Sequence, residues 1–339
     1  MLKIEKNKPL GQYTTIKAGA SADYFAVLKD KSDFLEALDF SKKNKQPIII
    51  LGGGSNILFS KRIKGLVLKN EIKGLRIVEK NKERVLVESL SGVLWSKLVA
   101  FSVDHKFYGL ENLFLIYGTV GAAPVQNIGA YGVEFKDHFH HLNAIDIKTG
   151  HEKIFSAADC RFGYRDSVFK NKFKGRYFIY SVTMSLSLKP NFQLEYGSIK
   201  EKLAEKGIKK VTIRDVANVI MEIRNSKLPN PYVLFNSGSF FKNPEITKTN
   251  FKKIQKQYPE IPFFPGSGSK IKIPAGWLIE QVGLKGKKFG PVRMYEKQAL
   301  ILVNEGGASA KQVLKLVAKV KLLVKNKFDL DLNEEVNII

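Results

Sequence analysis

The hydroxyl of Ser239 stands between a glycine and two phenylalanines in "NSGSFFKNP" (236–244), in a chain otherwise crowded with lysine. Its neighbours leave two readings open: a turn residue whose phenylalanines fall into a core, or a reactive group held in a water-poor pocket. Two glycine-rich stretches bear on the choice. "ILGGGSNILF" (50–59) follows an apolar run, as a phosphate loop does, but it lacks both the G-x-G-x-x-G spacing and the GK[ST] of a P-loop. The consecutive N–H groups of Gly52, Gly53 and Gly54 can form an anion-binding nest, with Ser55 and Asn56 as side-chain donors; an ordinary turn accounts for the glycines equally well. "YGTVGAAPVQNIGAYG" (117–132) lets backbone approach a flat ring at Gly118, Gly121, Ala122 and Gly129, while Thr119, Gln126 and Asn127 offer polar partners. Together the two loops point to a large, extended cofactor; backbone packed on backbone is the plainer alternative.

In "CRFGYRDSVFK" (160–170), Tyr164 and Arg165 precede Asp166. A guanidinium is a planar fork for a carboxylate or phosphate, although beside Asp166 an internal pair is the simpler reading. Cys160 reads as a small buried hydrophobe. As the single cysteine it excludes an internal disulfide and suits a reducing cytosol. The run "HFHH" (138–141) has no cysteine or carboxylate at ligand spacing, so no metal is expected.

The elements that must position these groups fit a folded chain of 339 residues, 44% hydrophobic and 26% charged, large enough for two or three domains. The longest apolar runs, "PIIIL" (47–51) and "ALILV" (299–303), fall far short of the ~20 residues of a membrane helix. "MLKIEKNKPLGQY" at the N-terminus has no apolar stretch of the secretory kind. A net charge of +24 raises the possibility of a polyanion partner, but the lysines are scattered and not interleaved with aromatics, which describes a solvated surface and argues against nucleic acid. An amphipathic helix is expected over 31–45, with Ser32 and Asp33 as cap candidates and Phe34, Leu35 and Leu38 inward, leading into a buried strand at 48–51. Further helices are expected near 93–105, over 213–224 and over 309–327, the last opened by a Ser309–Gln312 capping box. Strands are expected at 143–148, 177–188 and, from the alternation of Phe328, Leu330 and Leu332, at 328–332; the pattern is α+β.

The ordered set "LGGGSN", "GTVGAAPVQNIGAYGVE", "CRFGYRDSVFK", "GSFFKNP", "PAGWLIEQVGLKG" and "LNEEV" spans nearly the whole chain and closely resembles the MurB family of UDP-N-acetylenolpyruvoylglucosamine reductases. The resemblance implies a vanillyl-alcohol-oxidase/PCMH-type FAD-binding fold of two lobes (1–69 and 70–210) plus a third α+β substrate-binding domain (211–339), whose C-terminal segment returns to the flavin site. It implies FAD as cofactor and NADPH as reducing co-substrate. Hydride then passes to the enolpyruvyl double bond of a UDP-sugar to give UDP-N-acetylmuramate, for peptidoglycan synthesis and thus cell-wall biogenesis, cell shape and division. Carried over by position, it makes Ser239 the proton donor and has Arg165 and Glu335 hold and polarise the substrate carboxylate. The loops at Gly52–Asn56 and Gly118–Gly129 become cofactor-binding. Tyr164, Tyr196, Lys227, Asn243, Lys272, Lys285 and Gln298 become substrate- or NADPH-binding. "LEYGS" with Tyr196 matches the longer subtype, whose tyrosine loop closes over substrate. The family usually has "IPG" where Tyr117 stands, "NTF" for "YTT" (13–15), a small apolar residue at Ser237 and a basic one at Asn337. A cytoplasmic monomer without a membrane span is expected. The alternatives are a flavin oxidase of the same fold, which leaves "GSFFKNP" unexplained, and a polyanion-binding protein.

Overall fold

A computed structural model describes residues 1–339, which form two compact units, each assembled from separated stretches of chain. The first comprises Met1–Lys8, Ala22–Gly53 and Lys64–Ser226; the second comprises Pro9–Ser21, Gly54–Ile63 and Lys227–Ile339.

The first unit carries a four-stranded sheet, a five-stranded sheet and a two-stranded ladder of Gly129–Ala130 with Val133–Glu134. In the four-stranded one the order is Glu5–Pro9, Ser21–Leu28, Ile63–Asn70, Ile48–Leu51, and its last two strands are parallel, with Leu51 opposite Lys69. Helix Lys31–Asn44 packs Phe34, Ala37 and Leu38 into a core with Ile48, Leu66 and Leu68, and Phe34 stacks on Phe178 at 4.4 Å. The N-cap is Asp30, whose carboxylate accepts from the Asp33 N–H at 3.0 Å; neither Ser32 nor Asp33 fills that role, and Leu35 points outward. A cap must precede the first turn, and since the helix begins at Lys31, as expected, its cap is the residue before that. The five-stranded sheet, in the order Glu152–Ser156, Phe139–Asp146, Tyr177–Ser187, Arg84–Leu90, Leu75–Lys80, is antiparallel throughout. Helix Trp95–Asp104 buries Trp95, Leu98 and Val99 in the core on that sheet. Helix Ile213–Lys227 turns Ile213, Val216, Ile220 and Ile223 inward at the expected spacing.

In the second unit the sheet order is Phe235–Ser239, Ile301–Asn304, Val292–Met294, Lys288–Phe289. Helix Ala310–Phe328 has the expected capping box at Ser309 and Gln312 and buries one stripe: Val313, Leu316, Val317, Val320, Val324 and Phe328. The core beneath it draws in Ile16, Ala18 and Leu58 from the N-terminal third, together with Phe240 and Phe241. Each of these two phenylalanines is fully buried, and such burial contributes roughly 1.5–3 kcal/mol. No strand forms at 328–332. Phe328 is the last helical residue, Asp329 adopts a left-handed C-cap (φ 53°), and Leu330 and Leu332 are buried outside any helix or strand. Alternating burial thus arises there without a ladder. Short strands follow instead, Asn337–Ile338 lying parallel to Ile57–Leu58. No helix is long and apolar enough to cross a membrane.

Candidate active site

Within the first unit the two glycine-rich loops meet. A Cβ on Gly52 would lie 2.6 Å from the Thr119 Oγ1, and one on Gly53 would lie 2.8 Å from the Gly118 Cα. A Cβ on Gly121 would lie 2.5 Å from Ser91. At all three positions close packing excludes a side chain, against backbone at Gly53 and against the Thr119 and Ser91 side chains at Gly52 and Gly121. The seam nevertheless has polar character. Thr119 is 3% exposed and its hydroxyl has no partner, while the Lys69 ammonium donates to the Gly52 carbonyl. Gly118 and Thr119 open the 3-10 turn Val120–Gln126, and Ala122 is exposed beside them.

The Asn127 side chain is fully engaged inside the unit. Its amide donates to Glu134 Oε2 (3.0 Å) and the Gly163 carbonyl (2.9 Å), and its oxygen accepts from the Lys136 N–H (3.0 Å). It therefore shapes the loop. Gln126 accepts from Lys170 at 3.5 Å. Arg165, in the left-handed region at φ 51°, donates to the Gly129 carbonyl at 2.7 Å and lies 5.3 Å from the Tyr164 ring. Asp166 accepts from Asn171. Tyr196 is exposed and edge-on to Tyr131, with ring centroids 6.4 Å apart.

Sequence reasoning passes over one neighbour of Arg165. Arg224, near the end of helix Ile213–Lys227, donates to the Leu115 carbonyl at 3.1 Å, and its Nε is buried without a partner. Burial lowers its pKa, Tyr131 and Tyr117 oppose that shift, and Arg165 adds to it. Leu115, Tyr131 and Arg165, which surround these two guanidiniums, all have positive φ. An arginine beside the apolar Ile223 is the signal that could have found it.

In the second unit, Ser239 and Glu335 are brought together by backbone pairing. Ser239 ends the strand Phe235–Ser239 after a bulge, where the register shifts between Asn236 and Ser239 and Gly238 sits at φ 68°. The Glu335 N–H donates to the Phe240 carbonyl at 2.9 Å, the Lys242 N–H to the Asn333 carbonyl at 2.8 Å, and Phe241 bridges Glu334. The C-terminal segment therefore runs beside the residues that follow Ser239. Asn56 joins them, its amide donating to the Glu335 carbonyl at 3.2 Å and its carbonyl accepting from the Asn337 N–H at 3.1 Å. Gly54 and Ser55 precede it in the same unit. Ser237 is 3% exposed and its hydroxyl is unpartnered, whereas Ser239 is half-buried.

Of the remaining candidates, Asn243 and Gln298 line one cleft of about 320 Å³ with Gly276, Trp277 and Leu300. Asn243 accepts from the Ala275 N–H at 2.9 Å, and a Cβ on Gly276 would lie 2.6 Å from the Gln298 oxygen. Lys285 pairs with Glu280, another lining residue, at 2.7 Å, and Lys272 lies 3.6 Å from Glu245. Lys227 is exposed.

Two family models match: the FAD binding domain over residues 22–156 and the C-terminal domain of UDP-N-acetylenolpyruvoylglucosamine reductase over 230–339. A relative named UDP-N-acetylenolpyruvoylglucosamine reductase from Flavobacterium johnsoniae is 43% identical across 100% of both chains. The chain belongs to the MurB family. A MurB relative of the same name from Pseudomonas aeruginosa is 41% identical over 99% of both chains. The crystal structure of MurB from Thermus caldophilus superposes with a TM-score of 0.71 at 21% identity, covering 100% of this chain and 99% of that one, so the MurB fold extends over the whole length. The cofactor half of the family fits what this chain offers. The seam between the glycine loops presents an orphaned buried hydroxyl and an ammonium, both donors suited to a dinucleotide's phosphates.

Cys160 is buried, and burial pushes its thiol up to about 12, with Asp159 adding to the shift. The thiolate is the reactive form, so native protein at neutral pH is expected to take up no iodoacetamide and guanidinium-unfolded protein one equivalent. Native labelling at the unfolded rate would show that Cys160 is exposed.

Proposed function

We propose that this chain reduces UDP-N-acetylglucosamine enolpyruvate to UDP-N-acetylmuramate with NADPH, using bound FAD, as a cytoplasmic monomer in peptidoglycan precursor synthesis. The observation that carries this reading is family membership across the entire chain, at 43% identity over both full lengths. We read residues 1–69 and 70–210 as the two cofactor lobes and 211–339 as the substrate lobe, with the exceptions that Pro9–Ser21 and Gly54–Ile63 pack in the same unit as the substrate lobe and residues 211–226 in the unit of the cofactor lobes. The separate hydrophobic cores around Phe34 and around Trp95 support two cofactor lobes.

Held by the loops at Gly52–Asn56 and Gly118–Gly129, FAD would supply the hydride, drawn from NADPH, for the enolpyruvyl double bond. The residues of the chain handle the charge and the proton. Addition at the carbon β to a carboxylate leaves an enolate-like intermediate, so negative charge must be held and the α carbon protonated. We assign the carboxylate to Arg165 and Glu335, with Arg224 as a second guanidinium, and the proton to the Ser239 hydroxyl. A serine is a weak acid in water, but it serves a strongly basic carbanion when pre-positioned and shielded from solvent. The fully buried Phe240 next to Ser239 supports that shielding. The phosphate and sugar groups of the two substrates fall to Tyr164, Tyr196, Lys227, Asn243, Lys272, Lys285 and Gln298; the cleft shared by Asn243 and Gln298 supports two of these assignments.

Purified protein is expected to be yellow, to oxidise NADPH slowly alone and rapidly once the enolpyruvyl sugar nucleotide is added. Colourless protein that FAD cannot reconstitute would overturn the reading.

A further inference from the structure

The mechanism above leaves Lys69, a partly buried cation, unused. Lys69 is the penultimate residue of strand Ile63–Asn70 and faces Leu51 across a parallel pair, so its side chain reaches the first glycine after that strand. The Nζ donates to the Gly52 carbonyl, a neutral acceptor. Burial lowers the lysine's pKa, Glu71 opposes that shift and Lys73 adds to it. An ammonium taken out of water against a carbonyl is only half compensated, so an anion near it would recover much of the lost hydration.

The backbone beside Lys69 supplies further donors for such an anion. In a trans peptide the C=O and the following N–H point in opposite directions. Holding the Gly52 carbonyl on Lys69 therefore turns the Gly53 N–H away from the lysine. Gly52 and Gly53 are pressed against Thr119 and Gly118 too closely for any side chain. On that seam lies the dry, unpartnered Thr119 hydroxyl, and a buried hydroxyl left unpaired is costly. Ammonium, hydroxyl and amide are all donors, and they belong to two loops that touch at Gly52 and Gly53, the ammonium on one side of the Gly52–Gly53 peptide and the amide on the other.

We propose that Lys69 sets the Gly52–Gly53 peptide and provides the positive charge for the diphosphate of the bound flavin dinucleotide, with Thr119 as its hydroxyl donor. This rests on the cofactor assignment above. Lys69 is a positioning residue for the loop and a counter-charge for the ligand, and the two roles separate experimentally. A tether acts equally at all salt concentrations, whereas a counter-charge is screened, less for a partly buried pair than for an exposed one.

The test is titration of FAD into the flavin-stripped full chain, followed by flavin fluorescence at about 0.05 and 0.5 M salt, for wild type, Lys69→Met, Lys69→Arg and Thr119→Val. Lys69→Met is expected to weaken binding about ten- to hundredfold at low salt and by a smaller factor at high salt, with Lys69→Arg recovering most of the loss. The inference is overturned if Lys69→Met binds FAD within about twofold of wild type. It is also overturned if the loss is the same at both salts and accompanied by a lower melting temperature of the flavin-free protein, the mark of a tether alone. Should Lys69→Met fail to fold, Thr119→Val decides: a loss of about fivefold or more supports the seam, and unchanged affinity overturns it. Wild type that binds no FAD at either salt would instead overturn the cofactor assignment, and this inference with it.

Discussion

Ser239→Ala is expected to leave reduction of the bound flavin by NADPH at the wild-type rate and to slow its reoxidation by the enolpyruvyl substrate about 10²–10⁴-fold. The asymmetry follows from where the proton is needed: the first half-reaction delivers none to carbon, and the second cannot finish without one. Stopped-flow traces of the two halves separate them, and equal loss in both would show that Ser239 shapes the site without donating. Ser237, two residues earlier, is not expected to substitute. Its hydroxyl lies in the interior at 3% exposure, and the bulge at Gly238 sets the two serines in different surroundings. Ser239→Ala should therefore be as slow as the Ser237→Ala/Ser239→Ala double variant.

Gly54→Ala is expected to lower unfolding free energy by about 3 kcal/mol or more. The residue sits at φ 70°, and an added Cβ would lie 2.0 Å from the Tyr13 carbonyl oxygen and 2.9 Å from the Thr14 Cα, backbone atoms that cannot swing aside. The damage should reach Ser239 through hydrogen bonds. The Thr15 N–H donates to the Gly54 carbonyl (3.0 Å), the Thr15 hydroxyl to the Asn236 carbonyl (2.6 Å), and the Gly238 N–H to the Asn236 side chain (2.9 Å). Gly175→Ala is the control. It has similar φ (70°) but nothing within 4 Å of the new methyl, and is expected to cost only the ~1–2 kcal/mol of a left-handed alanine. Denaturant titrations of both variants make the comparison, and equal midpoints would show that the Tyr13 contact relaxes freely.

Much of this was legible from residue order. The helical stripe of 309–327 and its capping box form as read, because period and cap agree and the segment buries the face they define. The strand expected at 328–332 failed because alternation reports burial and leaves hydrogen bonding undetermined. The "YTT" segment, which departs from the family pattern, instead supplies Thr15 as a strut to Asn236. Asn127, a candidate for contact with the cofactor, has its amide fully bonded within the fold. Lys69 and Arg224 escaped notice because one lysine among many, or one arginine on a helix, carries no mark of burial until the chain has folded around it.

The interleaving of the two units has a consequence for how the molecule can be made. Asn56 bonds a residue 279 positions later, and Asn304 bonds Ile16 across 288. During synthesis the segments Pro9–Ser21 and Gly54–Ile63 emerge early and then wait for Lys227–Ile339, the bulk of their own unit, which the ribosome finishes last. Loop closure over such separations is entropically slow, and until it happens Ile16 and Leu58 have no core to enter. A fragment cut at residue 230, where the C-terminal family model begins, would lack both of those residues and the strand Ile57–Leu58 that pairs with Asn337–Ile338. Assembly of the second unit is thus a late, whole-chain event, and the pairing that carries Glu335 beside Ser239 is among its final acts.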